Sequence, residues 1–119
     1  MPYVDGFVVP VPRRNIDAYR DMAIKAGKIW IEFGAQQFRE CVADDVKTGE
    51  LTSFPQSVNL KDDEVVFFSW IVYESRAKRD EVNDKVMKDP RMKDMMEPKD
   101  SPFDGKRMIY GGFEVLVDL

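Results

Sequence analysis

EVVFFSWIVYE, residues Glu64 to Glu74, decides the fold. Val65 to Tyr73 carry no charge and are almost all β-branched or aromatic, the composition of a strand. Alternate side chains of a strand point to opposite faces. Val65, Phe67, Ser69, Ile71 and Tyr73 fall on one side, and Val66, Phe68, Trp70 and Val72 on the other. Both sets are apolar, and burying one Val or Phe side chain is worth roughly 1.5–3 kcal/mol. This strand therefore requires cover on two sides.

Upstream, Tyr3 to Val11 alternates as a first strand, with Tyr3, Asp5, Phe7, Val9 and Val11 on one face. Gly6 on the other face predicts a close approach from above, such as a crossing helix. Asn15 is placed to cap a helix whose apolar stripe is Ile16, Tyr19, Met22, Ala23, Ala26, Ile29, Trp30 and Phe33, ending at Gly34. Ala35 to Ala43 reads as a more polar edge strand. Asp44 to Asp63 is a long connection, expected to hide a short strand near Ser57 to Leu60 or to contact a partner. Downstream, Ser75 caps a helix from Arg76 to about Lys88, Asp89-Pro90 ends it, and Met92, Met95 and Met96 offer apolar cover on a further turn. Glu97 to Gly105 reads as a loop. A last strand runs from Arg107 to Val117, with Gly111-Gly112 marking a bulge or a close backbone approach.

The order β-α-β-β-α-β predicts one α+β domain over residues 1–119, ferredoxin-like, with an antiparallel sheet. Two helices cover one face of such a sheet. The other keeps large apolar groups, expected from sets such as Tyr3, Phe7 and Val9, and a two-fold homodimer packing sheet against sheet would bury them.

The totals narrow the function. A length of 119 residues suits one core. The net charge of −4 argues against nucleic acid as the main partner. No apolar run reaches the ~18 residues of a membrane span. The start, MPYVDGFVV, has no basic n-region and does not read as a secretory signal. Cys41 is the one cysteine, which fits a reducing cytoplasm. The chain has no histidine, which excludes His-based triads, the common His-containing zinc sites and a histidine haem ligand. No cofactor is expected. Acid–base chemistry falls to carboxylates, tyrosine, lysine or the thiol.

Four stretches carry a resemblance: YVDGFVVPVP from Tyr3, GAQQFRECVADDV from Gly34, FSWIVYESRAKRDEVNDKVMKDPRM from Phe68 and PFDGKRMIYGGFEVLV from Pro102. Together they resemble the YbaA-like family, domain of unknown function 1428, over essentially the whole chain. The resemblance implies a dimeric α/β-barrel, two ferredoxin-like protomers with their sheets face to face. That superfamily also holds cofactor-free monooxygenases, haem enzymes of the chlorite dismutase type and stress-responsive dimers. It supplies no catalytic residues to carry over.

The candidate site residues come from polar groups inside apolar strands. Asp5, Glu40 and Glu114 read as carboxylates converging on a cleft between two sheets, where desolvation would raise their pKa values. The competing reading pairs each with Arg39, Arg107 or another cation. Arg107, Trp70 and Tyr110 complete the six pocket candidates, the two aromatics reading equally as core or interface. Arg76, Lys78 and Arg79 could bind an anion or simply pair with Asp80 and Glu81. The functional expectation is a homodimer holding a small molecule between its sheets; the alternative is a stress or assembly protein whose apolar face only dimerises.

Overall fold

A computed structural model describes residues 1–96 and 101–119. Its strands are β1 (Tyr3–Pro12), β2 (Gln37–Val42), β3 (Glu64–Tyr73) and β4 (Ile109–Glu114). Its helices are α1 (Ile16–Phe33), α2 (Phe54–Ser57), α3 (Arg76–Lys88) and α4 (Pro90–Met95), with a 3-10 turn at Arg13–Asn15. The strands form one antiparallel sheet in the order β2-β3-β1-β4. This is the expected α+β, ferredoxin-like arrangement, with β2 at an edge.

The register settles which side meets the helices. Tyr3 lies opposite Tyr73, Asp5 opposite Ile71, Phe7 opposite Ser69 and Val9 opposite Phe67. Ile71 and Tyr73 pack with Ala26 and Ile29 of α1 and Val82 and Val86 of α3; Val9 and Phe67 pack with Tyr19. The Tyr3-Phe7-Val9 face is thus the covered one, contrary to the expectation that it would stay open. The open face carries Val4, Gly6, Val8, Val66, Phe68, Trp70 and Val72, with Gln37, Arg39 and Cys41 from β2 and Ile109, Gly111 and Phe113 from β4.

Part of that open face is covered by the chain itself. The 44–63 connection contains no short strand. It folds instead into α2, capped by the Ser53 hydroxyl accepting from the Gln56 amide at 3.2 Å. Val58 behind α2 is buried against Val8 and Val66. Phe54 meets Phe68 edge-on at 5.6 Å. The remainder is left bare: Phe113 is 63% exposed and Ile109 45%.

Local signals explain most boundaries. Ser75 caps α3 by accepting from the Lys78 amide at 3.1 Å. Asp89 ends α3 and caps α4, which Pro90 opens. Gly34 follows α1 with φ 123°, a conformation that side chains disfavour. Asn15, expected as a cap, makes no capping bond; its Nδ2 donates to the Pro102 carbonyl at 2.9 Å and ties down the loop before β4. Gly111-Gly112 forms no bulge, since β1–β4 pairing runs through both residues. Gly112 allows close approach: a Cβ there would lie 2.5 Å from Tyr3 Oη. Over Gly6 lies the Phe113 ring rather than a helix. Residues Glu97 to Asp100 of the expected loop lie outside the described residues.

Candidate functional site: the cleft between helix α1 and the sheet

α1 and the β2 edge border a half-open cleft of about 460 Å³. Ile16, Tyr19, Ala23, Ile24 and Gly27 of α1 face Phe38, Glu40 and Val42 of β2 and Phe67 of β3 across it. Gly27 lets the helix lie directly on the Phe38 ring, because a Cβ there would sit 2.7 Å from it. The lining is apolar apart from a few groups, and the volume lies in the range of small-molecule sites.

Glu40 is the chemically distinctive group. Its strand position points it under α1, where Tyr19 Oη donates to Glu40 Oε1 at 2.9 Å. Burial pushes its carboxyl up to about 7 against hydrogen bonds from Tyr19 and Ser69, which pull it down. Burial, then the nearby Glu40 charge, pushes the Tyr19 phenol far above its usual range, so Tyr19 acts as a neutral donor. The pair can hold a proton near neutral pH and exchange it with a bound molecule, the role histidine fills in other proteins.

The other expected site residues fall elsewhere. Asp5 is buried under α3, where it accepts from Tyr73 Oη at 3.0 Å and lies 3.6 Å from Arg79 Nη1. Asn83 Nδ2 also donates to it, at 3.4 Å, while Asn83 Oδ1 accepts from Trp30 Nε1 at 3.0 Å. This is a structural polar network rather than an open site, and Arg79 Nε within it makes no hydrogen bond, though it lies 3.2 Å from Asp80 Oδ1. Arg79, read as an anion binder or a surface pair, belongs to it: its guanidinium lies over the Tyr3 ring and donates to Tyr3 Oη at 3.1 Å.

Arg107 grips Glu64 through two bonds, at 2.8 and 2.5 Å, and Asp104 at 3.0 Å. It also donates to the Val58 and Asn59 carbonyls, which fixes the connection to β3. Glu114 is exposed near Arg76 at the end of the sheet. Tyr110 is 73% exposed on the β4 edge, where its ring meets Phe7 at 6.1 Å. Trp70 stands on the open face, donating to Gln37 Oε1 at 2.6 Å.

The expected convergence of Asp5, Glu40 and Glu114 between two sheets therefore does not occur. All three point to the helix-covered face, as does Tyr110, because each pairs across the ladder with a residue of that face. Of the six candidates only Glu40 lines the cleft. In the sequence Tyr19 is one more residue of the apolar stripe of α1. Its polar tip gains meaning only once β2 is placed beneath it. Among the described residues no group of His, Cys, Asp or Glu side chains could hold a metal ion, and no helix is long and apolar enough to cross a membrane.

The βαββαβ order, the four-stranded antiparallel sheet and the packing of α1 and α3 on one face define an α+β protein of the ferredoxin-like class. Two solved structures share this fold. One is a dimeric ferredoxin-like protein from an uncultured marine organism, with a TM-score of 0.58 and 12% identity over 100% of both chains. The other is Rv0793 from Mycobacterium tuberculosis, with a TM-score of 0.52 and 15% identity over 99% of this chain and 98% of that one. The chain belongs to the family described as protein of unknown function (DUF1428), whose model matches residues 2–105. It is 54% identical over 118 residues to the uncharacterized protein YbaA of Escherichia coli strain K12, covering 99% of each chain. The YbaA of Shigella flexneri matches to the same extent.

Proposed function

We propose that this chain is a homodimeric small-molecule-binding protein of the cytoplasm, with one ligand site per protomer in the α1–β2 cleft. The observation that carries this reading is Glu40: a carboxyl that exchanges its proton near neutral pH, placed on the wall of an apolar cavity beside a neutral hydroxyl donor. Proteins seldom keep such a group without use for it, since a desolvated carboxyl costs stability when it ionises. The ligand site lies inside each protomer. The bare half of the open face, with Phe68, Phe113 and Ile109, is then the self-association surface. The marine protein of the same fold is described as dimeric, which agrees with this assembly.

Phe68 and Phe113 equally favour a second reading, an assembly protein whose apolar face only dimerises. One experiment separates the two. Solution mass is measured for the wild type and for Phe113→Lys, and a fragment library is screened by thermal shift against the wild type and Ala23→Phe, which fills the cleft. The proposal expects twice the 13.8 kDa chain mass for the wild type and the single mass for Phe113→Lys. It also expects fragments that raise the melting temperature only when the cleft is open. Dimers without any cleft-dependent fragment support the assembly reading, and a wild-type monomer removes the dimer.

A further inference from the structure

Asp5 and Glu64 are buried in the sheet and Glu40 is half-buried at the cleft, and their partners differ. Asp5 has Arg79 at 3.6 Å, and Glu64 has Arg107 at 2.8 Å. Glu40 has no cation among the described residues. Its hydrogen-bond partner is the Tyr19 hydroxyl, and Ser69 lies opposite it across the ladder. Arg20 lines the same cleft, yet its guanidinium pairs with Asp17 at 3.5 Å on the exposed side of α1. A desolvated carboxylate requires a compensating positive charge or a proton. The fold supplies a cation to the two that face no cavity and withholds one from the carboxyl that does.

We propose that the cleft takes a small hydrophobic amine, bound as its ammonium, with an N–H donating to the Glu40 carboxylate and the carbon skeleton packed against Ile16, Ala23, Ile24, Phe38 and Phe67. This rests on the cleft being a ligand site. The aromatic walls suit it: Tyr19, Phe38 and Phe67 line the cleft, and aromatic rings attract a desolvated cation. The ammonium–carboxylate bond is charge-assisted and stronger than the bond an alcohol would make. Binding exchanges one charge for another: in the empty cleft a proton neutralises Glu40, and the ammonium displaces it to solvent. Affinity therefore rises with pH through neutrality. The groups facing Glu40 agree with this. Tyr19 of α1 stays neutral, Phe67 and Ser69 of β3 are uncharged, and the Arg20 guanidinium is turned to Asp17 on the exposed side.

The test uses benzylamine, benzyl alcohol and benzoate as probes of matched shape. Calorimetry is run at pH 6 and pH 8 on the wild type and on Glu40→Gln, and the Gly27 and Phe38 amide resonances of the wild type locate the site. At pH 8 benzylamine is expected to bind at least about tenfold tighter than benzyl alcohol, or about 1.4 kcal/mol. That advantage should shrink at pH 6, disappear in Glu40→Gln, and accompany shifts at Gly27 and Phe38. Benzyl alcohol or benzoate binding as well as the amine, with shifts at those amides, overturns the amine and keeps the cleft as a site. Benzylamine held equally by Glu40→Gln, or without shifts at Gly27 and Phe38, overturns the amine assignment. No binding by any of the three overturns both the amine and the cleft.

Discussion

Glu64 and Glu40 are strand glutamates of the same sheet with opposite surroundings. Glu64 opens β3 beneath the 44–63 connection, where the Arg107 guanidinium holds its carboxyl below the usual range. Its charge is a fastener: through Arg107 it ties β3 to Val58, Asn59 and Asp104. Glu40 lies under α1 without such a partner, and burial holds its carboxyl up at about 7. A carboxylate that is matched closes a structure. One left unmatched on a cavity stores an unmet demand for positive charge, and the occupant of the cavity can meet it.

Removing the fastener should have the largest effect. Arg107→Ala leaves Glu64 buried and unpaired and frees two backbone carbonyls, so unfolding in urea at pH 7 should show a loss of about 3–5 kcal/mol. A loss under about 1 kcal/mol would mean that the Glu64 pair is as dispensable as a surface ion pair.

Glu40→Gln should sharpen the contrast through pH. The native protein keeps the Glu40 proton up to about 7, whereas the unfolded chain releases it near 4.5, so the folded state binds more protons between those values. Stability therefore falls as pH rises through that window, by up to about 3 kcal/mol. Glu64 acts in the opposite sense: its contribution is present above the unfolded value and is lost as acid protonates it through its lowered one. In Glu40→Gln the fall between pH 5 and pH 8 should vanish, and melting temperatures at the two pH values test it. A variant that loses stability across that range as the wild type does would place the titration elsewhere.

The smallest change expected is that of Tyr19→Phe. It removes one hydrogen bond to Glu40 at a cost of about 1 kcal/mol. Because that bond favours the ionised carboxylate, Glu40 should titrate higher still in the variant, as read by carboxyl carbon resonances.

Much of the fold was legible. The run Glu64 to Glu74 declares a central strand because only burial on both sides tolerates apolar groups on both. Ser75 and Asp89-Pro90 announce the bounds of α3 through local chemistry that survives into the fold. The choice of face was not legible, since two apolar alternations look alike until the helices are placed. Asp5 reads as a carboxylate of a cleft between sheets, and the cation that instead matches it under α3, Arg79, lies 74 residues away along the chain. α2 is hard to read although Ser53 and Gln56 stand at capping-box spacing, because four helical residues within a long connection show no periodicity. The site was legible in one residue. A charge in a strand marked Glu40 as unusual, but its partner Tyr19 is separated by 21 residues and looked like ordinary core.

The direct measurement of the central claim is a carbon-13 NMR titration of the glutamate carboxyl groups in the wild-type protein. The Glu40 resonance should move with a midpoint near 7, while Glu64 stays ionised to below the ordinary glutamate range. A Glu40 midpoint at the ordinary 4.5 would contradict the account, because the carboxyl would then be fully hydrated or matched by a cation, and the cleft would make no demand on a ligand.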